Sequence, residues 1–160
     1  MNKAIQFQHE VIRPVLAKMQ ASSLAAEELL LGTAVQESLN FKYRRQMGNG
    51  PARGYYQMEP ATHDDIWQNY LRFNAPKAQL VSTFLSSANA DKHSELEHND
   101  EYATAMARVH YMRVREALPK QGDVVGQANY WKQYYNTPLG KGKPAEYIEK
   151  WQHYVLADQA

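Results

Sequence analysis

The sequence contains no cysteine. That absence removes disulfide staples, thiol nucleophiles and cysteine-ligated metal centres, so the chain must hold itself together by packing. No excess of one charge is present either: 18 Lys and Arg stand against 17 Asp and Glu, a net charge of +1. Such a balance gives no overall pull toward nucleic acid or an anionic membrane, and neither is expected as a partner. Long apolar runs are also missing. Nothing approaches the roughly 18 residues of a membrane span. The first twenty residues are broken by His9, Glu10 and Arg13, which does not fit a signal peptide. Several compact motifs are absent as well. GNG at 48–50 and GKGK at 140–143 lack Walker spacing, no Gly-x-Ser-x-Gly elbow accompanies Ser38, and no His-Glu-x-x-His occurs. His93 and His98 with Glu95 and Glu97 are better read as a solvated polar loop than as metal ligands, so no metal or organic cofactor is expected.

What is present is an ordinary globular composition, 44% hydrophobic in 160 residues, with no repeat or long linker. The economical reading is one domain over 1–160. Aromatic residues are skewed, with eleven Tyr and three Trp against four Phe, clustered at 54–70 and 130–154. Tyr and Trp combine flat apolar area with a polar handle, which suits a core and a sugar-lined groove alike.

The pattern predicts an all-α fold of about seven helices, with room for one small hairpin. The first covers about 3–20, bent near Pro14. The second runs from Leu24 to about Asn40 behind Ser22 and Ser23 as caps, with a buried stripe through Leu30 and Ala34. Residues 41–60 hold Gly48, Asn49, Gly50, Pro51 and Gly54, so they read as a Gly-rich loop, and Asn49-Gly50 suits a hairpin turn. A third helix is expected near Thr62, and a fourth from Pro76 to about Ser87. The polar stretch that comes next reads as loop with one turn capped by Ser94. Further helices are expected over about 100–118, 124–135 and from Pro144.

One residue stands out chemically. Glu37 continues the Leu30–Ala34 face at the open end of a mostly apolar helix. A poorly solvated carboxyl holds its proton to higher pH, which is what a general acid for glycoside cleavage requires. On its own, a glutamate at a helix end is more often simply solvated. The segment Gly54-Tyr55-Tyr56-Gln57 strengthens the case, because glycine permits close approach while Tyr and Gln offer what sugar rings need.

The order Glu37-Ser38, then Gly54-Tyr55-Tyr56-Gln57-Met58-Glu59-Pro60, then Thr62, resembles the lysozyme-like lytic transglycosylases, the soluble-transglycosylase branch of the lysozyme superfamily. Tyr135-Asn136 before Thr137-Pro138-Leu139-Gly140 resembles the third motif of that family more loosely, with Tyr134 as the alternative tyrosine. The stretch YWKQYYNTPLGKG, with HYMRVREALP before it, is similar to small phage-encoded lysozyme-like proteins. The chain departs from the family at Tyr55 and at Met58-Glu59.

The resemblance implies a lysozyme-like domain whose Gly-rich loop lines a groove and whose substrate is bacterial peptidoglycan. Glu37 would protonate the bond between N-acetylmuramic acid and N-acetylglucosamine, then act as base while the sugar's own C6 hydroxyl closes a 1,6-anhydro ring. Ser38, Tyr55, Tyr56, Gln57, Tyr134, Tyr135 and Asn136 would contact or orient the sugar. Glu59 is the candidate second carboxylate, and it would serve a hydrolytic muramidase. A further alternative is a non-catalytic phage particle component on the same scaffold. Either way the expected setting is a virion or the host cytoplasm, with action at the periplasm or cell wall and other phage particle or lysis proteins as companions.

Overall fold

The computed structural model describes residues 2–137 and 139–157. Pro138, within the third motif, lies outside the described residues. The described chain is all-α, with eight helices. Helix α1 comprises Lys3–Phe7, a π-helical turn over Gln8–Ile12, and Arg13–Lys18. The bend expected at Pro14 takes the form of this widened turn just ahead of it. Proline offers no N–H and its ring crowds the carbonyl four residues back, so the ladder slips and the Arg13 N–H reaches the Gln8 carbonyl.

Helix α2 (Leu24–Ser38) is capped by Ser23, whose hydroxyl accepts from the Ala26 N–H at 3.0 Å. The sequence predicts a single buried stripe here. Instead every residue from Leu29 to Val35 is buried, because α2 runs through the middle of the molecule. Its packing partners include Tyr147, whose ring fills the space that a side chain at Gly32 would need.

The remaining helices are α3 (Pro60–Asn69), α4 (Ala75–Ser82), α5 (Lys92–His98), α6 (Asp100–Met112), α7 (Val124–Trp131) and α8 (Pro144–Lys150). Helices α7 and α8 each continue into a π-helical turn, Lys132–Asn136 and Trp151–Leu156. Helix α3 starts at Pro60, two residues before the expected Thr62 cap, since proline's fixed φ suits a first helical position. Helix α4 stops at Ser82, not Ser87, in a turn that tucks Phe84 into the core. Helix α5 is the one the sequence reading misses; Asp91 caps it through the His93 N–H, rather than Ser94. Helix α6 ends at Met112, well short of Leu118. Val114 and Leu118 pack back on the core in irregular backbone before Pro119, which disfavours helix just ahead of it.

The 41–60 segment forms no strand. Two isolated antiparallel bridges, Arg45 to Arg53 and Arg53 to Met58, hold it as a folded loop. Its turn comes one residue earlier than expected: Gly48 and Asn49 take positive φ (72° and 61°), whereas Gly50 does not.

Two apolar clusters make the core. One gathers Phe7, Ile12, Leu16, Leu29–Leu31, Ala34, Tyr111 and Trp151; the other gathers Val15, Met19, Ile66, Leu71, Val81, Leu96 and Met106. Helices α1 and α6 feed both. Among the described residues, no helix is long and apolar enough to cross a membrane.

Candidate active site

Helix α2 delivers Glu37 one residue before its end, and the chain then leaves the helix by an unusual turn. Leu39, Asn40 and Phe41 all lie in the left-handed region, with φ of 53°, 56° and 65°. Left-handed backbone costs roughly 1–2 kcal/mol per non-glycine residue, so this turn stores strain that its surroundings must hold. Ser38 does much of that holding. Its buried hydroxyl donates to the Ala34 carbonyl and accepts from the Phe41 N–H, both at 2.6 Å. Expected to bind substrate, Ser38 instead sits with no exposed surface and fixes the direction in which the chain leaves Glu37.

The Glu37 carboxylate lies at the base of a cleft of about 560 Å³. Protein surrounds it on nearly every side, although the cleft leaves it partial access to solvent. Trp131 Nε1 donates to Oε2 at 3.0 Å. Burial pushes the carboxyl up to about 7, against the opposing pull of the Trp131 hydrogen bond and the charge of Lys150. Gln57, Glu59, His110, Tyr135 and Asn136 share the cleft.

The loop that carries Gln57 is built on Gly54. Its φ is +75°, and a Cβ there would collide with the Leu96 backbone carbonyl. Close approach and unusual backbone thus both apply, as the sequence anticipates. Gln57 also takes positive φ (47°), and its side-chain amide donates to the Gly54 carbonyl at 2.9 Å.

Tyr55 and Tyr56, expected as groove wall, are placed otherwise. Tyr55 packs edge-on against Phe7 and Phe41, with the Arg44 guanidinium 4.0 Å over its ring. Arg44 is itself paired with Asp100 at 2.7 Å. Tyr56 is buried, and its hydroxyl accepts from Thr104 Oγ1 at 3.0 Å. Neither lines the cleft; together they anchor the loop to the core.

The structure also separates the two candidate tyrosines of the third motif. Tyr135 lines the cleft, and its hydroxyl donates to the Tyr56 carbonyl at 2.6 Å. Tyr134 turns away and packs edge-on to Tyr130 at 4.7 Å. Asn136 accepts from Lys132 Nζ at 2.9 Å, and the same ammonium reaches the Gly140 carbonyl at 2.7 Å, closing the rim. Glu59 is exposed at the other edge of the cleft, at the N-cap of α3.

Two residues escape the sequence reading. Trp131 reads as core because it shares a helical face with Tyr134 and Tyr135. It is fully buried, yet its one polar atom is spent on Glu37. His110 stands 4.9 Å from the Tyr135 ring and accepts from the Arg113 guanidinium at Nδ1, 3.2 Å away. Burial, with Arg113 beside it, pushes its pKa down to about 4, so it is neutral at neutral pH. No local motif marks it.

The polar group His93, Glu95, Glu97 and His98 does not converge. His98 pairs with Glu97 at 2.7 Å and Glu95 accepts from the Ser86 N–H, while His93 turns to α3. No protein-family model, curated protein or solved structure matches this chain.

Proposed function

We propose that the chain cleaves the glycan strands of peptidoglycan, with Glu37 as general acid, on a helical domain of the lysozyme-like kind. The observation that carries this reading is the Glu37 carboxyl itself, held near 7 by burial at the base of an open cleft and oriented by one donor. A carboxyl so placed is protonated in a large fraction of molecules at neutral pH, so it can donate to a leaving oxygen. Trp131 donates to Oε2, which leaves Oε1 to carry the proton into the cleft.

In the transglycosylase route, Glu37 protonates the oxygen bridging N-acetylmuramic acid and N-acetylglucosamine. The C–O bond breaks, the same carboxylate takes the proton of the substrate's C6 hydroxyl, and that oxygen closes the 1,6-anhydro ring. Glu37 ends reprotonated, with no water consumed. Gln57 supplies amide hydrogen bonding from a fixed backbone, Tyr135 and neutral His110 supply flat surface, and Asn136 borders the entrance. Ser38, Tyr55 and Tyr56 act through the backbone.

A hydrolytic reading has one observation in its favour: Glu59 lines the same cleft and gives it a second carboxylate. Purified peptidoglycan, digested and resolved by chromatography and mass, distinguishes the two. Anhydro-muropeptides from wild type and almost none from E37Q support the transglycosylase. Reducing ends, lost in E59Q as well, support the muramidase. No release from walls of several chemotypes leaves a non-catalytic glycan-binding or particle component as the reading.

A further inference from the structure

A second cluster of side chains lies outside the cleft around Glu37. Helix α3 presents His63 and Asp64, and the start of α5 brings His93 against them from 29 residues downstream. His63 Nδ1 is 2.9 Å from Asp64 Oδ1, and His93 Nε2 is 2.8 Å from the same oxygen. All three candidate ligand atoms lie within 4.8 Å of one another. A separate surface cleft of about 380 Å³ opens onto them, with Trp67 and Lys92 on its wall.

We propose that His63, Asp64 and His93 form a binding site for one divalent transition-metal ion of the zinc class. Two imidazoles and a carboxylate are the donor set such ions prefer. Calcium and magnesium select oxygen instead. Three protein ligands leave a fourth position, and here it faces the open cleft, where water or a small anion completes the shell.

The mobility of the three groups suits ligation. The His63 side chain is 2% exposed and fixed, whereas those of Asp64 and His93 are 47% and 43% exposed and free to adjust. The present contacts need to open only to about 3.3 Å, the ligand separation imposed by tetrahedral bonds of about 2.0 Å.

The shell behind His63 is also built. Its Nε2 meets the buried Tyr102 hydroxyl at 2.7 Å, and Trp67 Nε1 donates to that hydroxyl at 3.0 Å. Partners of this sort on the far ring nitrogen set the orientation and tautomer of a metal-bound histidine. Because the Trp67 indole can only donate, the Tyr102 hydrogen points at Nε2 in the metal-free chain, and the His63 proton sits on Nδ1 toward Asp64. Ligation replaces that Nδ1–H by an Nδ1–metal bond. The proton moves to Nε2 and donates to the Tyr102 oxygen, so the imidazole stays neutral.

The test uses the full chain after treatment with EDTA. Calorimetric titration with zinc chloride should show one ion per chain, and titration with magnesium chloride should show no saturable heat. H93A and D64N, both at exposed side chains, should each weaken zinc binding by more than about tenfold, a loss seen even for outer-shell partners. H98A should bind as wild type does. Nitrogen-15 spectra should show the His63 proton moving from Nδ1 to Nε2 when zinc is added. Absence of saturable zinc binding overturns the proposal. So does zinc binding that survives H93A and D64N together, since the ion would then lie elsewhere. None of these readouts involves glycan cleavage, so the result stands apart from the fate of Glu37.

Discussion

Replacing Glu37 by Gln should make the protein more stable, and only at high pH. The folded chain holds this carboxyl at about 7, against 4.5 for an ordinary glutamate. Between those values the folded state binds a proton that the unfolded state has released. The stabilisation associated with that proton is complete below pH 4.5 and is lost as pH rises through 7. At 1.36 kcal/mol per decade the full loss is roughly 3 kcal/mol, and about 2 kcal/mol allows for the access that the cleft leaves to solvent. Gln has the same shape, keeps an oxygen for Trp131 Nε1–H, and never ionises. Urea unfolding of wild type and E37Q at pH 4.5 and pH 8.5 reads the effect directly. The two should coincide at pH 4.5. At pH 8.5 E37Q should be ahead by about 2–3 kcal/mol, or some 4–12 °C in Tm for a domain of this size. A stability difference that is the same at both pH values would refute the burial argument, whatever the protein does to glycans.

Turnover should fall as pH rises above about 7, because the acid must be protonated, and W131F should move that limb to higher pH by removing the bond that favours the carboxylate; a pH–rate series on both proteins checks it. G54A should cost at least about 2 kcal/mol in urea unfolding, from left-handed backbone and the clash with the Leu96 carbonyl. Y135F should cost about 1–3 kcal/mol by orphaning the Tyr56 carbonyl and should reduce turnover, whereas Y134F should leave turnover unchanged. Reversal of that order would mean the structure assigns the two tyrosines wrongly.

Much of the helical frame could be read in advance, because caps and prolines act locally. Ser23 before α2, Asn74 before α4 and Pro144 opening α8 each announce a boundary through their own hydrogen bond or fixed φ. Helix α5 was not legible. It buries only Leu96 and Glu97 and is too short to show a period. Gly54 was legible for the same local reason as the caps, since only glycine accepts that φ and that neighbour. The tyrosines beside it were not. Whether Tyr55 faces a cleft or a core depends on Phe7 and Phe41, which the sequence does not place. Glu37 stood out through its helical offset from Ala34, but its partner Trp131 is 94 residues away and belongs to another helix. His110 owes its position in the cleft entirely to tertiary packing.

The π-helical turn at Lys132–Asn136 carries a consequence of its own. A widened turn inserts one residue without breaking the helix, and it rotates everything beyond it by about a quarter turn relative to an α-helical continuation. Trp131 lies before the insertion and Tyr135 within it, so both rings reach the same cleft from one helical rod. Reading frame, in the sense of helical phase, is therefore part of the site. Loss of a single residue such as Gln133 would let the rod regularise with its hydrophobic content and length almost unchanged. It would also swing Tyr135 off the Tyr56 carbonyl and out of the cleft. For this stretch, length variation by one residue is a larger change than most substitutions of side chain.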